Sequence, residues 1–372
     1  MRKKASFTAH PSSERRKKNL LFLNLIRNRK STSRTEISKL TDTNIVTVSN
    51  YINGYLKKGL ILETGYDVSS GGRRPELVEL NKKWGYAIGI DIAPGRIKGI
   101  LVDFGMEVLA SETISGYEKE KLKASIGEVV RGLLEGSKTD KALVKKIGIA
   151  AASGDIAEDS GKIKDEIEKE PGIPVLSGSA ALCAAFGERG LNPEASEASK
   201  ILFIYTSLGE GIFITEDEFY EANNKERKYA YLKPWPRRLG IAEEAKKAVS
   251  QGVGTKIVDM AGGEAANITA ETVVNAAQER DEIASDLLKT AGTNLSVRVA
   301  YLMNLFEPEV VIIGGGAEKA KDFFLNPLVA NVKKLVLRSA LGRAKVAPAI
   351  LGEEARVKGS AFLAIREAFI ET

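Results

Sequence analysis

The sequence predicts an α/β protein with a small basic helical module at its front, and three observations carry that prediction. Beyond residue 83, strand-like apolar runs alternate with helix-period stretches. Ahead of them, three helix-period patterns are followed by two short alternating runs. The charge is divided along the same line: residues 1–75 hold 16 Lys+Arg against 5 Asp+Glu, a net +11, and the remainder holds 39 against 44, a net −5. At 372 residues the chain exceeds what one ordinary core fills, so two or three domains are expected.

In the front part, Leu20, Leu21, Leu23, Leu25 and Ile26 set a helix within 14–29. Ser33 before "RTEISKL", with Glu36 three residues on, reads as a capping box that opens a second, short helix. In "NIVTVSNYINGYLKKGLI", Ile45, Val48, Ile52 and Leu56 recur at three- and four-residue steps and are expected to face inward. Asn44, Thr47, Ser49, Asn50 and Tyr51 are then the outward set, hydrogen-bonding types suited to base edges and phosphates. A plain three-helix bundle with a polar outer face would show the same pattern. The continuation favours a reader of DNA: "GLILETG" and "RPELVEL" alternate like two strands around "YDVSSGGRR", which makes a helix-turn-helix with a wing. Residues 1–75 are assigned to this module and 76–83 to a linker. Arg73 and Arg74 leave a glycine pair and are suited to the narrow, negative minor groove of an A·T-rich segment, the plainer alternative being exposed arginines of a connection.

The body runs "YAIGIDI", "IKGILVD", a helical 118–136, "KKIGIAAA", "IPVLSGS", a helical 180–188, "ILFIYTSLGEGIFI", long helices from about 240 to 305, "VVIIGGG" and a final helix from 355. That is α/β layering with mixed sheets. A single cysteine, Cys183, excludes an internal disulfide and a multi-cysteine zinc site, and a single histidine, His10, removes the usual general base from the body. The run "LLFLNLI" is too short to span a bilayer and lacks a cleavage site, so a cytoplasmic protein without membrane partners is expected.

The stretch "SRTEISKLTDTNIVTVSNYINGYLKKGLILETG…SSGGRRPELVELN" resembles the winged-helix front of the repressor members of the repressor/ORF/kinase (ROK) family, sugar-responsive regulators. The order of the body resembles the same family's two-lobed, actin-like (ribonuclease H-like) sugar kinase fold, best in "GIDIAPGRIKGILVD", "KKIGIAAASG", "LFIYTSLGEGIFI" and "NLFEPEVVIIGGG…VKGSAFLAI". The resemblance implies one lobe over 84–195 with the helix 355–372, and a second over 196–354. It also exposes departures. Where the family has Asp-x-Gly-Gly-Thr for phosphates, this chain keeps Asp91 but continues Ala93-Pro94-Gly95-Arg96, losing a backbone donor and a hydroxyl. Glu210 places an anion in the second phosphate loop. In "VLSGSAALCAAFGE", alignment on "AAFGE" puts Ser179 at the family's Asn and Ala180 at the Asp that deprotonates the sugar hydroxyl, so no general base remains there. The zinc-binding cysteines are missing.

The resemblance therefore implies a regulator with an inactive kinase-like body that senses a sugar or assembles oligomers. Gly154, Ser179, Lys228 and Tyr231 are the expected effector contacts, and Asp91, Arg96, Gly314 and Gly315 the remnant of a nucleotide site. No zinc is expected, nor ATP with magnesium. The expected partner is double-stranded DNA, a palindromic operator with an A·T-rich segment, read by a homodimer or homotetramer. The alternative is an ATP-dependent kinase for N-acetylglucosamine or glucose.

Overall fold

The computed structural model describes residues 6–66, 75–151, 172–207, 209–216, 218–221, 239–337 and 344–372. The chain divides into two compact units, Met1–Gly187 with Glu354–Thr372, and Glu188–Glu353. The break thus falls inside a helix at Gly187, not at residue 195 as the sequence suggested.

The first unit opens with α1 (Glu14–Arg29), capped by Ser13. The short β1 (Thr32–Ser33) leads to α2 (Arg34–Leu40), where Ser33 Oγ accepts the Glu36 N–H at 3.2 Å. Glu36 turns its carboxylate to the Thr32 hydroxyl at 2.8 Å, so the expected box is half formed and braced from one residue earlier. α3 (Ile45–Lys57) follows, and β2 (Ile61–Tyr66) and β3 (Glu76–Leu80) form an antiparallel sheet of order β1-β3-β2. The segment assigned to a linker is therefore mostly the second wing strand: Val78 is fully buried and pairs with Glu63 and Thr32, as its alternation requires.

Five strands, β4 (Tyr86–Ala93), β5 (Arg96–Asp103), β6 (Val108–Ser115), β7 (Val144–Ala151) and β8 (Val175–Ser179), form the main sheet of this unit in the order β6-β5-β4-β7-β8. Strands β4, β7 and β8 run parallel; β5 and β6 are antiparallel hairpin additions. The period of two along β4 sorts its side chains between two layers. Ile88, Ile90 and Ile92 join α4 (Leu122–Ser137) in one apolar cluster. On the other face Gly89 lets the C-terminal helix Glu354–Glu371 approach so closely that an added Cβ would lie 2.3 Å from the Val357 carbonyl oxygen.

That C-terminal helix also joins the front module to the sheet. Phe22, Leu23, Ile26, Val48, Ile52 and Val78 share one core with Ala87 and Ile100 of the sheet, Phe104 just after β5, and Val357, Ala361, Ile365 and Phe369 of the helix. The Arg27 guanidinium stacks over Phe362 at 4.1 Å. The chain start is fastened to the same layer. Ser6 bridges Ser177 beside β8, the Phe7 ring covers Gly148 and Gly178, and the Thr8 hydroxyl donates to Glu367 at 2.8 Å while Arg366 donates to the Thr8 carbonyl at 2.6 Å.

α5 (Ala180–Leu191) leaves β8 directly and leads into the second unit. There β9 (Lys200–Tyr205), β10 (Glu210–Thr215), β11 (Glu218–Glu221), β12 (Val310–Gly314) and β13 (Lys345–Pro348) take the order β11-β10-β9-β12-β13. Helices Ile241–Ser250, Ala270–Gln278, Glu282–Phe306 and Asn326–Leu335 bury Leu288, Val299, Leu302 and Phe324 in its core. Among the described residues no helix is long and apolar enough to cross a membrane.

Candidate nucleic-acid interface and remnant phosphate hairpin

α3 sits where a recognition helix would, held from below by Val48, Ile52 and Tyr55. Asn44 caps it, its side chain accepting the Val46 N–H at 2.8 Å. Asn44, Asn50 and Asn53 are exposed, and Thr47 and Ser49 are half-buried. Tyr51 is half-buried. Its ring meets Phe22 edge-on at 5.3 Å and Tyr55 at 6.1 Å, so part of the residue packs against the core that positions the helix. Its place on the border of the helical stripe made the two sides hard to tell apart in sequence. Ile45 is also displaced from expectation, at 40 % exposure in the first turn. Tyr55 donates its hydroxyl to buried Asn19 of α1 at 2.8 Å, and burial pushes that hydroxyl's pKa up. Arg34 ties the helix to the wing strands, donating to Glu76 at 2.9 Å and to Asn53 at 3.3 Å. Arg73 and Arg74 lie outside the described residues, as do Gly154, Lys228 and Tyr231.

The β4–β5 hairpin turns through Pro94 and Gly95, the latter at φ 71°, a left-handed conformation that glycine takes without strain. Asp91 is 1 % exposed, and its Oδ2 lies 2.9 Å from an Arg356 guanidinium nitrogen and 3.7 Å from one of Arg96. Arg356 stands in the first turn of the C-terminal helix and was not singled out from sequence. The carboxylate that family kinases direct at metal and phosphate is here neutralised by two guanidiniums. These residues do not fit a magnesium–polyphosphate group: Asp91 is engaged, and Pro94 offers no N–H at the turn.

At the end of β8, Ser179 Oγ accepts the Leu182 N–H at 3.1 Å, which makes it an N-cap for α5. Ala180 is buried at 1 % and brings only a methyl group. In the second unit, Gly314 ends β12 and its carbonyl accepts both the Thr206 N–H and hydroxyl at 2.8 Å. Gly315 has φ 102°, and a Cβ there would stand 2.7 Å from the Ser207 nitrogen, so the glycine pair serves a tight turn against β9. Behind the turn, Glu318 accepts the Gly316 N–H at 2.8 Å, and burial pushes its carboxyl up to about 7. Glu188, the acid of "AAFGE", receives N–H groups of Ile350 and Leu351 at 3.0 and 2.8 Å and so pins the chain after β13.

A helix-turn-helix with two wing strands thus precedes two α/β layers, each built on a five-stranded sheet. The ROK family model matches residues 245–367. The chain is similar to the xylose repressor of Caldicellulosiruptor bescii, 29 % identical over 83 % of this chain and 85 % of the relative. Its fold is similar to a ROK family transcriptional regulator described as a homolog of the E. coli MLC protein, with TM-score 0.72 and 18 % identity over 96 % of this chain and 98 % of that one. It is also similar to a ROK family glucokinase from Streptomyces griseus in complex with glucose and AMPPNP, with TM-score 0.60 and 22 % identity over 75 % of this chain and 99 % of that one. The kinase likeness leaves out the length of a front module; the regulator likeness includes it.

Proposed function

We propose that the chain is a sugar-responsive DNA-binding transcriptional regulator, a repressor of sugar-utilisation genes, whose kinase-like body has given up phosphoryl transfer. The observation that carries this reading is the pairing of an open recognition helix with a closed phosphate hairpin, Asp91 bound to Arg356 and Arg96. The methyl group of Ala180 in place of a general base supports it, since such a base is commonly worth ~10²–10⁴ in rate. The relatives named as repressors support it as well. The protein acts in the cytoplasm as a homodimer or homotetramer on a roughly palindromic operator with an A·T-rich segment for Arg73 and Arg74. The body senses a sugar, with xylose the first to test, through differential affinity for states that present the two readers differently.

Mobility shift with promoter DNA from the protein's own neighbourhood tests the reading. Binding is expected to weaken steeply with salt and to change when xylose or another pentose or hexose is added. A coupled assay for sugar-dependent ADP release is expected to stay at background, and Ala180→Asp is not expected to raise it while Arg356 holds Asp91. Robust ADP release, with no DNA shift at low salt, would overturn the reading in favour of a kinase.

A further inference from the structure

The first turn of α3 carries an apolar pair that the protein leaves open. Val46 is 64 % exposed and Ile45 40 %, whereas Val48 and Ile52 on the same helix are fully buried. Among the exposed large hydrophobics of the described residues none is more open than Val46. Its neighbours along the outer face are polar or basic: Asn50 one turn on, Asn53 two turns on, then Lys57, all exposed. The surrounding module holds 16 Lys+Arg against 5 Asp+Glu, a field that suits a polyanion and disfavours a second copy of the same basic face. In the major groove the one apolar feature on a base edge is the C5-methyl group of thymine, and N-terminal residues of a recognition helix are those that reach the base edges. Valine is stiff at χ1, so a methyl contact from it costs little side-chain entropy.

We infer that Val46 reads a thymine C5-methyl group in each operator half-site, with Ile45 beside it shielding the contact from water. The inference rests on the DNA-reading function proposed above and names the base feature that function recognises. Sequence reasoning passed over Val46 because it looked for hydrogen-bonding types on the outer face.

The test begins with the full-length protein selecting from a pool of duplexes with a randomised core. The enriched duplex is then remade with each thymine in turn replaced by deoxyuridine, which removes only the methyl group. The wild type is expected to lose about four-fold in affinity at one thymine per half-site. Val46→Ala is expected to start weaker by about that factor and to show no further loss at the same thymine. Val46→Asn, whose amide suits adenine N6 and N7, should shift the enriched base there from thymine to adenine. Circular dichroism of both variants checks that the exposed substitution leaves the fold intact. Equal deoxyuridine penalties in the wild type and Val46→Ala, with sequence enrichment retained, would overturn this inference alone. No enrichment from the pool and no shift at low salt would overturn the DNA-reading function and the inference with it.

Discussion

α3 and the β4–β5 hairpin belong to the same compact unit and treat their polar groups in opposite ways. On α3, Asn44, Asn50 and Asn53 stand exposed while Tyr55 and Asn19 satisfy one another beneath. In the hairpin Asp91 is turned inward and closed off by two arginines. The amides of α3 remain open to water, whereas the buried charge of Asp91 meets guanidiniums of the protein itself. The same unit thus holds an exposed polar face and a buried charged hairpin, and the difference lies in where the partners of the polar groups come from.

The sharpest way to break that comparison is Arg356→Ala. It leaves Asp91 buried without its nearer guanidinium, and a loss of ~3–5 kcal/mol in urea unfolding is expected. Replacing both partners, Asp91→Asn with Arg356→Met, should recover most of it. Unchanged stability of Arg356→Ala would mean that the pair does not close the hairpin.

The second effect concerns Glu318, whose burial raises its carboxyl from 4.5 to about 7. A folded-state value above the unfolded one means that the folded chain holds the extra proton. The stability this confers is complete below about pH 4.5 and is lost as pH rises through about 7. The loss across that window is expected on the order of 3 kcal/mol. Glu318→Gln, which keeps an acceptor for the Gly316 N–H, should flatten that part of the stability–pH profile measured by thermal or urea unfolding.

Tyr51→Ala comes next, with ~2 kcal/mol expected for a half-buried aromatic that packs on Phe22. Tyr55→Phe strands Asn19 and should cost ~1 kcal/mol. The smallest stability effect, within ~0.5 kcal/mol, is expected for exposed Asn50→Ala, yet its DNA affinity should fall in a mobility shift assay. An Asn50→Ala that bound DNA as the wild type does would move the reading face away from this side of the helix.

The sequence reveals the hairpin's departures from the kinase pattern more readily than the contacts that close it. Pro94, Arg96 and Ala180 are departures at positions fixed by strand pattern and local motif, so each could be read one at a time. Arg356 meets Asp91 across the sheet from the far end of the chain, and no periodicity links the two positions. The wing strand Glu76–Leu80 was visible as an alternation, but its boundary was not, because Arg34 and the β1 pairing that hold it are tertiary. Tyr51 shows a simpler limit: at the edge of a 3.6-residue stripe an aromatic can turn either way, and contact with Phe22 of another helix is not written in the pattern. Helix capping by Ser13, Ser33 and Asn44 follows local chemistry, and of these only Ser33 was picked out in advance.

The contact between Thr8 and Glu367 spans 359 positions, and the core under the reader is completed by Val357, Ala361 and Phe369. During synthesis the amino-terminal helices therefore emerge long before the segment Glu354–Glu371 that seats them. A chain interrupted ahead of residue 354 would leave those helices without the floor that Val357, Ala361 and Phe369 supply.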